Sequence, residues 1–208
     1  MDIGKAKKLS SLSYKEWTKI RSNYCKTNLI KKINKTEYTK DLFDVKLILK
    51  SLDIDCWLLF GTLLGIVRDN DFLDWDDNIN FGVYEEILLP KTEELKSKFI
   101  SSGFIFRKIP KKNGTKINLY RYKHKVSLEA LYLDRSYKGN KYRLSNRFKH
   151  PRKYFETYGT IKFKGEEFRV PTPVEEYLSI LYRNWKKPIN LSDLENPEKW
   201  RNKKCHKK

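Results

Sequence analysis

The sequence is poor in cysteine and in long apolar segments. Its three cysteines, Cys25, Cys56 and Cys205, are odd in number and far apart, which argues against a disulfide framework or a cysteine-based zinc site. No apolar run reaches the roughly 18 residues that a membrane-spanning helix requires. The first residues also lack the apolar core of a signal peptide. We therefore expect a cytoplasmic protein with reduced thiols.

Acidic residues are absent from two long basic segments of this chain, whose formal net charge is +19. Residues 107–125 and 135–153 each contain eight Lys or Arg, no Asp or Glu, and interspersed aromatic residues. Such segments attract nucleic acid, nucleotide phosphates or an anionic membrane surface. A solvated basic surface is an equally good explanation for either segment taken alone. In the first segment, Lys111, Lys116 and Arg121 are predicted to bind substrate.

The spacing of apolar residues predicts helices and strands in alternation, followed by a strand-rich half. The pattern indicates helices over 36–51, 62–68 and 85–101, a buried strand over 56–60 and a strand over 79–83. It then indicates strands over 104–109, 117–123 and 126–133, a hairpin over 161–170, and a helix opened by Pro173. This order predicts an α+β (α/β-like) domain with a mixed β-sheet and packed helices. We place the domain at 36–190, between a basic N-terminal extension (1–35) and a basic C-terminal tail (191–208).

The acidic residues concentrate in one stretch, where 69–86 contains seven Asp or Glu and no Lys or Arg. Within it, Asp76, Asn78 and Asn80 are spaced by two, so on a strand their side chains share one face. Upstream, Gly61 and Thr62 end a strand and begin a helix, where backbone N–H groups and a hydroxyl can contact a phosphate. Oxygen ligands beside such a turn would hold Mg²⁺ against that phosphate.

A further acid, Glu129, interrupts the apolar strand VSLEALYL (126–133). A charge buried in such a strand is costly unless it has a partner. A metal ion is one candidate partner, and one of the many lysines or arginines is the other. The spacing alone favours neither.

Three segments together carry a family resemblance. GTLLGIVRDNDFLDWDDNINFG (61–82) resembles the LicD/fukutin phosphotransferase signature, which reads roughly G-T-L-L-G-x-x-R, a short loop, then W-D-x-D-x-D. LEALYLD (128–134) is similar to a later family strand, and YGTIKFKGEEFRVPTPVEEYLSILYRNWKKP (158–188) resembles the closing hairpin and helix. The resemblance extends from about Asp41 to Pro188 with its motifs in the family order.

The resemblance implies a nucleotidyltransferase fold and a metal-dependent reaction. Family members move a phospho-substituent, such as phosphocholine or ribitol phosphate, from a CDP-activated donor to a glycan hydroxyl. Gly61 and Thr62 would then contact donor phosphate. Asp76, Asn78, Asn80 and Glu129 would occupy the ligand positions for Mg²⁺ or Mn²⁺, and Asp76, Glu129 and Arg68 would be catalytic. Arg68 would either neutralise a phosphate or brace the loop by pairing with Asp74 or Asp76.

The expected partners are therefore a CDP-linked donor and a glycan or lipid-linked glycan acceptor. A peripheral contact with an anionic membrane surface is also expected. The sequence nevertheless departs from the family at two ligand positions, because it has Asn78 and Asn80 where the family has acids. Asparagine keeps a carbonyl oxygen but removes the charge on which Mg²⁺ sites usually depend. Two alternatives to a transferase thus stay open. One is a catalytically inactive nucleotide- or glycan-binding protein, and the other is an RNA-directed nucleotidyltransferase suggested by the basic composition.

Overall fold

The computed structural model describes residues 1–24, 33–110, 114–122, 124–134, 142–145 and 148–189. The helices in these ranges are α1 (Ile3–Ser11), α2 (Tyr14–Ile20), α3 (Lys35–Lys50), α4 (Phe60–Asp69), α5 (Glu85–Leu88), α6 (Thr92–Ser101), α7 (Lys153–Glu156) and α8 (Val174–Leu181). The strands are β1 (Trp57–Leu58), β2 (Asn78–Tyr84), β3 (Ile105–Pro110), β4 (Thr115–Arg121), β5 (His124–Asp134), β6 (Tyr142–Ser145), β7 (Phe148–Pro151), β8 (Gly159–Phe163) and β9 (Glu166–Val170). None of these helices combines the length and the apolarity needed to cross a bilayer.

The strands form one mixed sheet. Seven of them lie side by side in the order β3-β4-β5-β2-β1-β9-β8, and β6 and β7 continue outward from β5. The pairs β2–β5 and β1–β9 are parallel, and the other neighbouring pairs are antiparallel. The predicted α+β class, with a mixed sheet and packed helices, is therefore confirmed.

Local sequence signals explain several of these elements. Helix α3 begins where the Asn34 side chain accepts hydrogen bonds from the Thr36 and Glu37 backbone N–H groups. The β8–β9 hairpin turns through Lys164 and Gly165, whose positive φ angles of 50° and 85° suit a two-residue hairpin turn. Both elements agree with the sequence-based prediction.

Two predictions about these elements are corrected by the structure. The helix predicted over 85–101 is two helices, because Pro90 lies between α5 and α6 and offers no backbone N–H for a continuous helix. The strand predicted over 56–60 shortens to Trp57–Leu58, since Leu59 is already the N-cap of α4. The turn between β1 and α4 therefore starts earlier than the apolar run suggests.

The central strand β2 separates a core face from a polar face. Ile79, Phe81 and Val83 are fully buried among the apolar residues of the core. Asn78 and Asn80 alternate with them, so their side chains project from the opposite face. This polar face, rather than the helix-packed core face, is where the predicted site residues of β2 lie.

The first 24 residues pack against the outer edge of the sheet. The Arg107 guanidinium of β3 donates hydrogen bonds to the backbone carbonyls of Leu9, Ser10 and Leu12 at the end of α1. Trp17 of α2 contacts the Tyr120 ring of β4, with ring centroids 5.0 Å apart. The Ser10 hydroxyl of α1 also accepts a hydrogen bond from the Phe106 backbone N–H of edge strand β3 at 2.9 Å, so α1 covers part of the unpaired side of that strand.

Candidate functional site

The turn between β1 and α4 brings Gly61 against Asp76. A Cβ atom placed on Gly61 would lie 1.8 Å from Asp76 Oδ2 and 2.9 Å from its Cγ. Phe60, just before, has a φ of 52°, an uncommon angle for an aromatic residue that often marks a constrained functional turn. Glycine is therefore needed at position 61 because only a residue without a side chain leaves room for the Asp76 carboxylate.

The Thr62 side chain joins α4 to β2. Its hydroxyl accepts a hydrogen bond from the Asn80 backbone N–H at 2.9 Å and donates to the Asn78 backbone carbonyl at 3.4 Å. Both hydrogen-bonding roles of this buried hydroxyl are thus used within the chain. Thr62 positions the β2 backbone beside the helix start, and its predicted contact with donor phosphate stays a prediction.

A neutral hydrogen-bonded network occupies the polar face at positions 78 and 80. The Asn78 amide Nδ2 donates to Asn80 Oδ1 at 3.0 Å, and the Ser127 hydroxyl lies 2.9 Å from Asn78 Oδ1. The same hydroxyl lies 3.1 Å from Asn118 Oδ1, and Asn118 Nδ2 donates to the Tyr120 hydroxyl at 3.3 Å. This network of Asn78, Asn80, Ser127, Asn118 and Tyr120 spans β2, β5 and β4, and we call it the amide network.

Ser127 and Asn118 belong to the site but were missed in the sequence. Strand register places Ser127 of β5 opposite both Asn80 of β2 and Asn118 of β4. Alternation could have located them, because Ser127 lies two residues before Glu129 and Asn118 lies two residues after Lys116. The pairing of three separate strands is what brings these residues together.

Glu129 has a lysine partner in the structure. Its carboxylate forms an ion pair with the Lys116 ammonium, and the two residues lie directly opposite each other on β5 and β4. Their side chains are 5% and 15% exposed. The β2 residue opposite Glu129 is Gly82, not Asn80. The sequence left open whether the partner of Glu129 is a metal ion or a basic side chain, and in the structure it is paired with a lysine.

The two predicted arginines lie apart from this polar face. Arg121 projects to the core face of β4, where its guanidinium donates to Asp41 at 2.6 Å and to Asp44 at 2.5 Å. Arg68 forms a two-point pair with Asp69, at 2.8 and 2.7 Å, rather than with Asp74 or Asp76. Because alternation sends Arg121 and Lys116 to opposite faces, we assign Arg121 a structural role and do not place it in the site.

The surroundings of the other predicted metal and substrate ligands are as follows. Within the described ranges, no group of three or more His, Cys, Asp or Glu side chains is arranged to hold a metal ion. Asp76 Oδ1 accepts a hydrogen bond from the Asn78 backbone N–H at 3.2 Å, and burial raises the pKa of the neighbouring Asp77. Lys111, predicted to bind substrate, lies outside the described residues.

The close approach of Gly61 to Asp76 gives a direct test of the site. Gly61→Ala should displace the Asp76 carboxylate and break its bond to the Asn78 backbone, at a cost of about 1–3 kcal/mol in unfolding free energy. Chemical denaturation measures this cost. Adding Asp76→Ala should recover much of it, because the obstructing carboxylate is gone.

Gly159→Ala is the matched control for this variant. Its Cβ would approach Val170 no closer than 3.4 Å, an ordinary contact. We therefore expect a change within about 0.5 kcal/mol. Equal destabilisation by Gly61→Ala and Gly159→Ala would contradict the proposed packing of Asp76 on the turn.

Comparison with known proteins identifies the class to which this fold and site belong. Residues 53–173, more than half of the chain, match the family described as LicD/FKTN/FKRP, nucleotidyltransferase domain. The matched region includes the β1–α4 turn, the amide network and Glu129. The chain therefore belongs to the LicD/FKTN/FKRP family, which confirms the resemblance seen in its motifs. No curated protein matches the chain significantly.

Solved structures provide more distant similarities. The solution structure of the antibiotic-resistance factor ANT(2'')-Ia aligns with a TM-score of 0.46 at 11% identity, covering 66% of each chain. The lincomycin-bound crystal structure of the lincosamide antibiotic adenylyltransferase LnuA aligns with a TM-score of 0.43 at 11% identity, covering 64% of this chain and 79% of that one. The family match, not these alignments, supports the assignment.

Proposed function

We propose that this chain binds a nucleotide-diphosphate-linked donor of the CDP-activated type on the polar face of its sheet. The observation that carries the proposal is that polar groups from distant parts of the sequence meet on one face of the sheet. The Gly61 turn, Asp76 and the amide network come from segments far apart in sequence, yet they adjoin one another at the start of α4 and on β2, β5 and β4. The uncapped start of α4 adds backbone N–H groups that favour a phosphate.

The reaction proposed for this site is transfer of a phospho-substituent, such as phosphocholine or ribitol phosphate, to a glycan hydroxyl. The acceptor oxygen would form a bond to the phosphorus that carries the substituent, while the bridging P–O bond to CMP breaks and CMP leaves. The acceptor proton would pass to a base. Asp76 is our candidate for that base, because its carboxylate lies against the Gly61 turn, where the donor phosphate would bind.

The acceptor is proposed to be a glycan or a lipid-linked glycan. The net charge of +19 supports attraction to an anionic acceptor or to an anionic membrane surface that carries one. Part of the basic segment 107–125 is not available for this purpose, since Arg107 and Arg121 have partners within the fold. Exposed lysines, such as Lys108 of the same segment, would supply the attraction.

A second candidate function is donor binding without transfer. The amide network favours it, because two of the four positions expected to hold a metal ion, Asn78 and Asn80, carry neutral side chains bonded to each other. The prediction that Asp76, Asn78, Asn80 and Glu129 bind Mg²⁺ or Mn²⁺ stays a prediction. The arrangement of these side chains fits a divalent cation poorly, and we route no step of the reaction through one.

Binding and turnover can be measured separately. Isothermal titration with CTP, CDP-choline and CDP-ribitol should show saturable binding that disappears in Gly61→Ala and persists in Gly159→Ala. Release of CMP in the presence of a glycan acceptor would support transfer, and binding without CMP release would support the second candidate. If none of the CDP compounds binds and RNA binds in a salt-dependent manner, the donor-binding proposal fails and the nucleic-acid alternative replaces it.

A further inference from the structure

The polar face has three neighbouring rows across β2, β5 and β4. The row of Asn78, Lys125 and Tyr120 contains one ammonium, and the row of Asn80, Ser127 and Asn118 is neutral. The row of Gly82, Glu129 and Lys116 contains one carboxylate and one ammonium, so it has no net charge. Asp76 adds a carboxylate beside Gly61 at the edge of these rows.

The amide network suits asparagine better than aspartate. Asn78 accepts a hydrogen bond at Oδ1 and donates one from Nδ2 to Asn80. An aspartate at position 78 has no N–H group, so it could not make the bond to Asn80. The single hydroxyl proton of Ser127 serves either Asn78 or Asn118 at one time. The Asn80 amide oxygen therefore has a donor within the chain, and the Asn78 and Asn118 amide oxygens share the Ser127 hydroxyl proton.

A divalent cation in this position would be poorly supported. Magnesium sites in proteins normally depend on one or two carboxylates in addition to substrate phosphates. Here the two central ligand positions are neutral, and Glu129 is held by an ammonium on the facing strand. A cation bound to Glu129 would have to compete with Lys116, which carries the same sign of charge at the same carboxylate.

We propose that this chain binds the diphosphate of its ligand without a divalent metal ion, and that the Lys116 ammonium takes the metal's electrostatic role. This inference rests on the proposed donor site. Lys116 is only 15% exposed, so its charge acts in a poorly screened environment. Its ammonium makes a charge-assisted hydrogen bond to the Glu129 carboxylate, and a phosphate oxygen is an acceptor of the same kind. The neutral amide network then orients the ligand without repelling it.

The first test compares ligand binding with and without metal. Titration of the full chain with CTP and CDP-choline should give the same affinity in EDTA as in Mn²⁺. Electron paramagnetic resonance with Mn²⁺ alone should show no protein-bound ion. Binding that requires Mn²⁺, or a bound Mn²⁺ signal in the parent protein, would overturn the metal-free proposal while leaving donor binding intact. Failure of all nucleotides to bind in either condition would instead overturn the proposed function.

The second test removes the lysine. Lys116→Met should weaken nucleotide binding by about tenfold to a hundredfold, the usual loss for a charge-assisted hydrogen bond. Lys108→Met is the matched control, because Lys108 is exposed and alternates to the other face of neighbouring strand β3. It should bind as the parent does. Equal affinities in the two variants would exclude Lys116 from the ligand site.

A third test separates the role of Lys116 in ligand binding from any role in folding. Lys116→Met alone leaves Glu129 buried without its ion-pair partner, so Lys116→Met combined with Glu129→Gln is measured in parallel. Both should lose affinity while their circular dichroism stays native. Asn78→Asp, Asn80→Asp and Lys116→Met together should create a Mn²⁺ signal by electron paramagnetic resonance. A triple variant that folds and binds no Mn²⁺ would show that Lys116 does not stand in place of a metal ion.

Discussion

Replacing Arg121 by methionine should be among the most destabilising single changes in this protein. The Arg121 guanidinium pairs with Asp41, which is fully buried, and with Asp44, and it donates to the Ser102 carbonyl at 3.0 Å. Removing it leaves a buried carboxylate without its main counter-charge. Such losses cost about 3–5 kcal/mol. For a chain of this size the melting temperature should fall by roughly 6–20 °C.

Lys153→Met provides the comparison for Arg121→Met. Lys153 also forms an ion pair, with Glu176 at 2.6 Å, but both side chains are more than half exposed. Solvent screens such pairs, so we expect a loss below about 1 kcal/mol. Combining Arg121→Met with Asp41→Asn should recover part of the stability, because the orphaned charge is removed. If thermal melts of Arg121→Met and Lys153→Met coincide, the cluster of Arg121, Asp41 and Asp44 is not the structural anchor that its burial indicates.

Acid should destabilise the protein largely through His150. Its imidazole is fully buried next to the rings of Phe60, Phe155 and Tyr177, and the Tyr177 hydroxyl lies 2.8 Å from Nδ1. Burial lowers the pKa of His150 from 6.5 to about 3. Between these two pKa values the His150 imidazole is protonated in the unfolded state and neutral in the folded state. Stability is therefore complete above pH 6.5 and falls by about 1.4 kcal/mol per pH unit as the pH drops towards 3.

His150→Gln tests this linkage through the pH dependence of the free energy of unfolding, rather than through its value at neutral pH. The variant should be less stable at about pH 7, because glutamine does not reproduce the aromatic contacts of the imidazole. Between about pH 6.5 and 4.5, however, its free energy of unfolding should fall by roughly 2.3 kcal/mol less than that of the parent. Urea denaturation at several pH values measures both quantities. Parallel pH profiles for parent and variant would show that His150 does not control the acid response.

The sequence by itself determined much of the local structure and the family. Apolar spacing located α3, β2 and the strand-rich second half, and the Lys164-Gly165 pair located the β8–β9 hairpin. These features depend on short-range periodicity and backbone preference, which are visible within a few residues. The order of the motifs around Gly61, Asp76 and Glu129 was enough to suggest the family, which the match over 53–173 confirms.

The sequence did not show how far each element would extend. Pro90 divides the helix predicted over 85–101. Its position is visible in the sequence, but the apolar pattern continues on both sides of it and therefore suggested a single helix. The strand predicted over 56–60 was shortened for a different reason. The turn into α4 is set by the approach of Asp76 to Gly61, a contact between residues 15 positions apart that periodicity does not report.

The tertiary structure alone decided which polar residues meet. Asn78, Ser127, Asn118 and Lys116 lie on three strands whose register depends on how the whole sheet pairs, so no single segment predicts their contacts. The same register places Lys116 directly opposite Glu129, so the partner of Glu129 in the structure is a lysine. Arg121 looked in sequence like one more residue of a basic surface. Alternation along β4 turned its side chain to the core face, where Asp41 and Asp44 of α3 hold it.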